Sequence, residues 1–132
     1  MQINVTTDYA IRMVLFIAIK NEAVSSKEIS EMMRIPHDYV IVLSKKLKDG
    51  GIIDSARGIN GGYFLAREPW NISVFDIVNI MEGTTRINRC LEEDHYCSRN
   101  AVEGCPVRKN YEQLQMIFDD TLAGVTIESL MQ

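Results

Sequence analysis

The sequence is short of proline, histidine and cysteine, and each shortage excludes something. Three prolines among 132 residues, with no low-complexity stretch and no internal repeat, argue against a disordered linker and for one ordinary folded unit. No apolar run approaches the ~20 residues that cross a bilayer. The opening MQINVTTDYA has neither the basic nor the apolar region of a signal peptide, so a cytoplasmic protein without a membrane partner is expected. His37 and His95 are the only histidines, no Ser/His/Asp set can be assembled, and no glycine-rich phosphate loop opens a helix. An enzyme is therefore not indicated. All the cysteines, Cys90, Cys97 and Cys105, fall in RCLEEDHYCSRNAVEGCPVR, residues 89–108. In a reducing cytoplasm an odd set of three is a poor disulfide framework, and its clustering favours a metal or redox role.

What is present is unevenly charged. Residues 1–67 carry 9 basic against 7 acidic residues, and residues 68–132 carry 5 against 11, within a net charge of −4. An acidic total weighs weakly against nucleic-acid binding, because the footprint of such binding is a local basic surface. Between Lys45 and Arg67 five basic residues face two acidic ones.

The apolar spacing predicts mainly helices. TTDYAIRMVLFIAIKN sets Ala10, Ile11, Val14, Leu15 and Ala18 on a broad stripe behind Thr6 or Thr7 as cap. Ser25 and Glu28 have capping-box spacing for a second helix with Ile29, Met32 and Met33 on one face, and Pro36 closes it. HDYVIVLSKKLKD is a third, burying Tyr39, Val40, Leu43 and Leu47 and stopping at Gly50-Gly51. IIDSA and GYFLA then flank the glycine-rich RGING as a hairpin. Ser73 and Asp76 cap VFDIVNIMEG, with Ile72 and Ile77 at staple positions. Beyond Pro106, the residues Val107, Tyr111, Leu114, Phe118, Thr121 and Val125 form a short coiled-coil-like seam whose economical explanation is a partner helix in a homodimer. The alternative is packing against its own domain.

Helix, helix, tight turn, helix and hairpin is the order of a winged helix-turn-helix, whose third helix enters the major groove of double-stranded DNA. Opposite Leu43 on the helical wheel lie Asp38, Ile41, Lys45 and Lys48. The lysines suit phosphates or bases. Ile41 can pack on a thymine methyl, or it is a lone surface isoleucine. At the hairpin tip Arg57 is the natural arm for a minor groove, with Asn60 beside it and Gly58, Gly61 and Gly62 permitting close backbone approach. On its own the same stretch would read as a plain turn with a solvated arginine.

Three soft ligands on a loop between helices suit a metal centre. The spacings of six and seven residues are looser than the pairs of structural zinc sites, although His95 could complete a Cys3His set. A three-cysteine iron-sulfur cluster needs one further ligand or an open iron. Arg86, Arg89, Arg99 and Arg108 stand around the cysteines and would lower their pKa. An electron carrier could use the same loop without needing Lys45, Lys48 or Arg57.

TTDYAIRMVLFIA near the start, RGINGGYFLAREPWNISVFDIVNIMEG after the helix-turn-helix, the three spaced cysteines and TIESLM near the end together resemble the winged-helix iron-sulfur transcription regulators that include IscR and NsrR. The likeness covers nearly the whole chain. It implies a homodimeric DNA-binding regulator, a repressor, with 1–83 as the winged helix-turn-helix domain, 84–106 as the cluster-binding loop, and 107–132 as dimerisation helix and C-terminal segment. It also implies that an iron-sulfur cluster controls DNA affinity in response to nitric oxide, redox state or iron-sulfur status. IscR-like members, with [2Fe-2S] clusters, place a histidine three residues after the last cysteine, where this chain has Arg108. NsrR-like members hold [4Fe-4S] with an aspartate at the start of the first helix, donated by the other subunit, where this chain has Asp8. The resemblance thus favours [4Fe-4S] on Cys90, Cys97, Cys105 and Asp8, with [2Fe-2S] as the alternative. Without it, Asp8 is simply a first-turn acid favoured by the helix dipole. On the recognition helix this chain puts Asp38, Ile41 and Val42 where family members read bases, so a different operator preference is expected; Arg57 and the glycines of the wing, Gly61 among them, match the family.

Overall fold

Helix α1 (Val5–Lys20) is the hub of the computed structural model, which describes residues 1–132. Its Ala10, Met13, Val14 and Ile17 recur at helical spacing and are almost wholly buried. The cap is Asn4, not Thr6 or Thr7: Asn4 Oδ1 accepts from the Thr6 amide at 2.9 Å and from its hydroxyl at 2.8 Å. Thr7 is unavailable because it is buried and its hydroxyl donates to Glu82, 75 residues away.

α2 (Ser26–Met33) starts as expected, with Ser25 Oγ accepting from the Glu28 amide at 3.1 Å. The Glu28 carboxylate pairs with Lys20 at 3.0 Å rather than closing a capping box. Arg34 in the left-handed region ends the helix before Pro36 is reached. Only Ile29 is buried on so short a helix, and Met32 projects into solvent, against the expectation that it shared the buried face. α3 (His37–Asp49) buries Val40, Leu43, Ser44 and Leu47. Tyr39 is exposed instead of buried, its ring edge-on to Tyr9 at 5.8 Å between centroids. Gly51, at φ 75°, supplies the left-handed residue after the helix.

β1 (Ile53–Ala56) and β2 (Gly62–Leu65) pair antiparallel, Ile53 opposite Leu65 and Ala56 opposite Gly62. Val24, between α1 and α2, adds a bridge to Tyr63 through reciprocal bonds of 2.9 and 2.8 Å, bolting the hairpin to the helical body. α4 (Val74–Glu82) carries the full capping box, with Ser73 and Asp76 exchanging bonds of 3.1 and 2.9 Å, and Ile72 and Ile77 are completely buried. α5 (Pro106–Gly124) packs against α4, and Val125 lies beyond it in an extended conformation, its carbonyl accepting from Val74 N at 2.8 Å. The seam on α5 is therefore one residue shorter than the spacing suggested. α6 (Ile127–Leu130) returns the chain to the core, where Ile127 is fully buried. One cluster of 18 buried apolar residues joins α1 to α4, β1 and α6. No helix is long and apolar enough to cross a membrane.

Candidate functional site

Two sites stand on this frame. The first is the outer face of α3 and the hairpin. Asp38, Ile41, Lys45 and Lys48, opposite Leu43 on the wheel, are all exposed there, and so is Val42. Lys48 Nζ donates to Ser55 Oγ at 2.8 Å and lies 3.7 Å from the Asp54 carboxylate, which ties the recognition helix to β1. Lys45 pairs with Asp49 at 3.2 Å, one turn on. Both lysines thus have carboxylates nearby, while Arg57 makes no ion pair. At the tip, Arg57 and Asn60 are exposed and Gly61 is half-buried.

Tyr9 and Arg12 of α1 reach the helix-turn-helix at Tyr39 and Met33, and the sequence did not point to the two tyrosines in that role. Arg12 Nη1 donates to the Met33 carbonyl at 3.0 Å, at the last residue of α2, and its guanidinium covers the Tyr9 ring at 5.0 Å. Arg12 Nε lies 3.2 Å from the Asp8 carboxylate, an i,i+4 pair on α1. That contact is ionic without being a formed hydrogen bond, and it leaves the Asp8 side chain 56 % exposed.

The second site is the cysteine loop. Cys90, Cys97 and Cys105 line a single cavity of about 390 Å³ together with Tyr96, Val107 and Tyr111. Two of the three sulfurs accept a hydrogen bond from an N–H group. The Asn88 side-chain amide donates to Cys90 Sγ at 3.1 Å, and Cys105, capping α5, accepts from the Arg108 amide at 3.5 Å. Backbone N–H groups of Ala101 and then Arg99 hold the Cys97 thiol below its ordinary range, with the Arg99 charge adding to them against the cost of desolvation. No three of the His, Cys, Asp and Glu side chains converge closely enough to hold a single metal ion. Three soft, amide-supported thiols around one cavity instead suit a group wider than one ion.

The neighbouring arginines act less uniformly than expected. Arg89 forms a two-pronged ion pair with Asp94, which holds the Asp94 carboxyl below its usual range. Arg86 pairs with Asp119 at 3.5 Å and Arg108 with Glu112 at 2.6 Å. Arg99 alone is left to put its charge on a thiolate. His95 lines a separate cleft with Glu92, Glu93 and Asp119 and is not brought to the cysteines. Asp8 is likewise absent from the lining of the cysteine cavity.

Asn88 and Gln115 are the residues that sequence reading missed. Gln115 is the one buried residue of α5: it accepts from Ile87 N at 2.7 Å and donates to the Thr85 carbonyl and Asp119 at 2.9 Å each. It fastens the start of the cysteine loop to the helix that carries Cys105. A lone glutamine in a polar helix gives no signal for this, whereas Asn88, two residues before Cys90, could have been weighed as a thiol partner.

A protein-family model described as "Rrf2: Iron-dependent Transcriptional regulator" matches residues 3–132. The HTH-type transcriptional regulator NsrR of Shouchella clausii is 29% identical over 134 residues, covering 99% of this chain and 89% of that protein. Among solved structures, CymR of B. subtilis, described as a global cysteine regulator, superposes with TM-score 0.81 at 24% identity, covering 99% of this chain and 96% of that one. T. potens IscR does so with TM-score 0.78 at 23% identity, covering 99% and 86%. At these identities the two structures establish the fold.

Proposed function

The chain belongs to the Rrf2 family of transcriptional regulators, a DNA-binding and not an enzymatic family, and from that premise we propose that it is a cytoplasmic homodimeric repressor governed by an iron-sulfur cluster. The observation that carries this reading is the convergence of Cys90, Cys97 and Cys105 on one cavity, with N–H groups donating to the sulfurs of Cys90 and Cys105. Cys90, Cys97 and Cys105 would hold the cluster, with Asp8 of the partner subunit as fourth ligand and [4Fe-4S] as its type. Arg108 supports that choice over [2Fe-2S]: its side chain is committed to Glu112 and to the Cys90 carbonyl, at 2.6 and 3.3 Å, and a guanidinium is no ligand. When bound, the cluster would supply a centre reactive toward nitric oxide and oxidants.

The chain's own residues provide the route to DNA. Asp8 is held by Arg12, Arg12 by the Met33 carbonyl in the helix-turn-helix, and Tyr9 abuts Tyr39 near the start of α3. A change in what Asp8 binds alters the charge that fixes Arg12, and so the seating of α3. Asp38, Ile41, Val42, Lys45 and Lys48 would meet the major groove, and Arg57, Asn60 and Gly61 the minor groove, in each half of a two-fold operator. Dimerisation through α5 is supported by two apolar side chains left exposed on one side of it, Leu114 and Ile117, three residues apart.

Anaerobic reconstitution with iron and sulfide tests the cluster. The expected product is coloured, with about four irons per subunit as [4Fe-4S] stoichiometry requires. About two irons would instead support the IscR-like alternative. A colourless zinc protein, or an iron-free protein with unchanged operator affinity, would sink the cluster reading and leave a metal-free regulator.

A further inference from the structure

The hairpin ends in an isoleucine that touches nothing. Ile59 is 103 % exposed, the most open aliphatic side chain after the N-terminal methionine. Single exposed isoleucines are ordinary on protein surfaces; this one differs in how firmly it is held out. Gly61 N donates to the Gly58 carbonyl at 3.0 Å, closing a tight turn with Ile59 and Asn60 at its corners. A Cβ at Gly61 would sit 2.3 Å from the Ala56 carbonyl oxygen, and one at Gly62 2.5 Å from that of Val24, so the backbone beneath the tip is fully packed. The Val24–Tyr63 bridge and the Lys48–Ser55 bond then lock the hairpin to the body and to α3. Ile59 cannot fold back onto apolar surface without breaking that turn.

The surroundings say what the tip meets. Arg57 is the only charged residue between Ser55 and Gly62, and it is unpaired, so nothing at the tip repels phosphates. A narrow projection of one aliphatic side chain beside one guanidinium is too small for a protein interface but matches the width of a minor groove. A·T pairs present a groove floor free of exocyclic amines, whereas guanine places its N2 amine there. An aliphatic side chain loses contact and leaves that donor unsatisfied over a G·C pair.

We propose that Ile59 is a specificity-determining residue of the wing: it packs into the minor groove beside Arg57 and makes the chain select A·T pairs on the flanks of its operator. This rests on the winged-helix DNA-binding reading and extends it to a residue that the recognition helix does not involve. The full-length cluster-loaded protein, and separately the metal-free protein, is used to select sites from a randomised duplex library, in parallel with Ile59→Ser. The wild-type consensus is expected to carry A·T at the wing positions, and Ile59→Ser to lose that preference while keeping the central recognition-helix positions. In the wild-type consensus duplex, replacing flank adenines by 2,6-diaminopurine adds the minor-groove amine and leaves the major-groove edge as it was. Wild-type binding should weaken roughly fivefold to tenfold, the scale of one unfavourable base pair, and Ile59→Ser should be insensitive. Identical consensus sequences and identical diaminopurine sensitivity for both proteins would overturn the proposal while leaving DNA binding intact. Failure of either protein to recover any consensus would overturn the DNA-interface reading as well. Because the Ile59 side chain is fully exposed, Ile59→Ser should melt as wild type does, so loss of fold is not confounded with loss of preference.

Discussion

Asp8 and Arg12 face each other at 3.2 Å across one turn of α1, and the same guanidinium donates to the Met33 carbonyl at the end of α2, in the helix-turn-helix. One residue thus answers both a first-turn carboxylate and the seat of the recognition helix. Replacing Arg12 by Ala should cost about 1.5–4 kcal/mol, the sum of one charged hydrogen bond and a partly exposed ion pair. Thermal unfolding measures the loss. Arg12→Lys should keep the charge near Asp8 yet lose the carbonyl bond, because an ammonium lacks the fork that serves both at once. Operator affinity falling in both variants would tie Met33 to DNA binding; affinity unchanged in both would dissociate Arg12 from it.

Asp8→Ala should leave the melting temperature of the metal-free protein nearly unchanged, since an exposed pair contributes little. It should shorten the lifetime of a reconstituted cluster in air. An absorption spectrum and decay rate equal to wild type would remove Asp8 from the ligand set.

In the metal-free protein the Cys97 thiol is held below its ordinary range by the amides of Ala101 and Arg99. A depressed folded-state pKa gives stability that is present above the unfolded thiol's value and is lost as pH falls through the folded one. Alkylation of Cys97 should therefore show a midpoint below that of a thiol in the unfolded chain, and Ala101→Pro, which deletes the leading donor, should move the midpoint up. Peptide mass spectrometry after timed alkylation across a pH series reads both. A midpoint indifferent to Ala101→Pro would assign the shift elsewhere.

The contrast between α1 and α4 shows where sequence reasoning stops. Ser73 and Asp76 cap α4 within four residues of chain, so local chemistry is sufficient and the cap was legible. At α1, Asn4, Thr6 and Thr7 are chemically comparable caps, and the choice turns on Glu82 drawing Thr7 inward. Tyr39 was misplaced for the same reason: its wheel position is intermediate, and Tyr9 of another helix decides it. The winged-helix order and the clustering of Cys90, Cys97 and Cys105 were written in spacing. What supports the thiols was not, because backbone amides such as those of Ala101 and Arg99 carry no residue signature.

Gln115→Leu should be more damaging than an ordinary helix substitution. It strips partners from Ile87 N and the Thr85 carbonyl together, at about 1–3 kcal/mol for buried groups left unsatisfied. Hydrogen exchange should speed up at residues 85–88 while the α1 core stays protected. Uniform protection across the loop would show that α5 and the cysteine segment are held by other contacts.

The apolar face of α5 gives the last prediction. Leu114 is 47 % exposed and Ile117 65 % exposed in the single chain, on a helix whose one buried residue is polar. If α5 packs on its counterpart, a glutamate at either position puts a charge into a dry seam that offers it no partner. Leu114→Glu and Ile117→Glu should each shift the protein from 30 kDa, twice the 15.0 kDa chain, toward monomer in light scattering. The helix-turn-helix would be untouched, because α3 and the hairpin lie on other elements. A monomeric variant with a native melting profile should bind half an operator as weakly as nonspecific DNA, since one subunit reads only half of a two-fold site. Retention of the dimer in both variants would move the interface off this face and return α5 to packing within its own subunit.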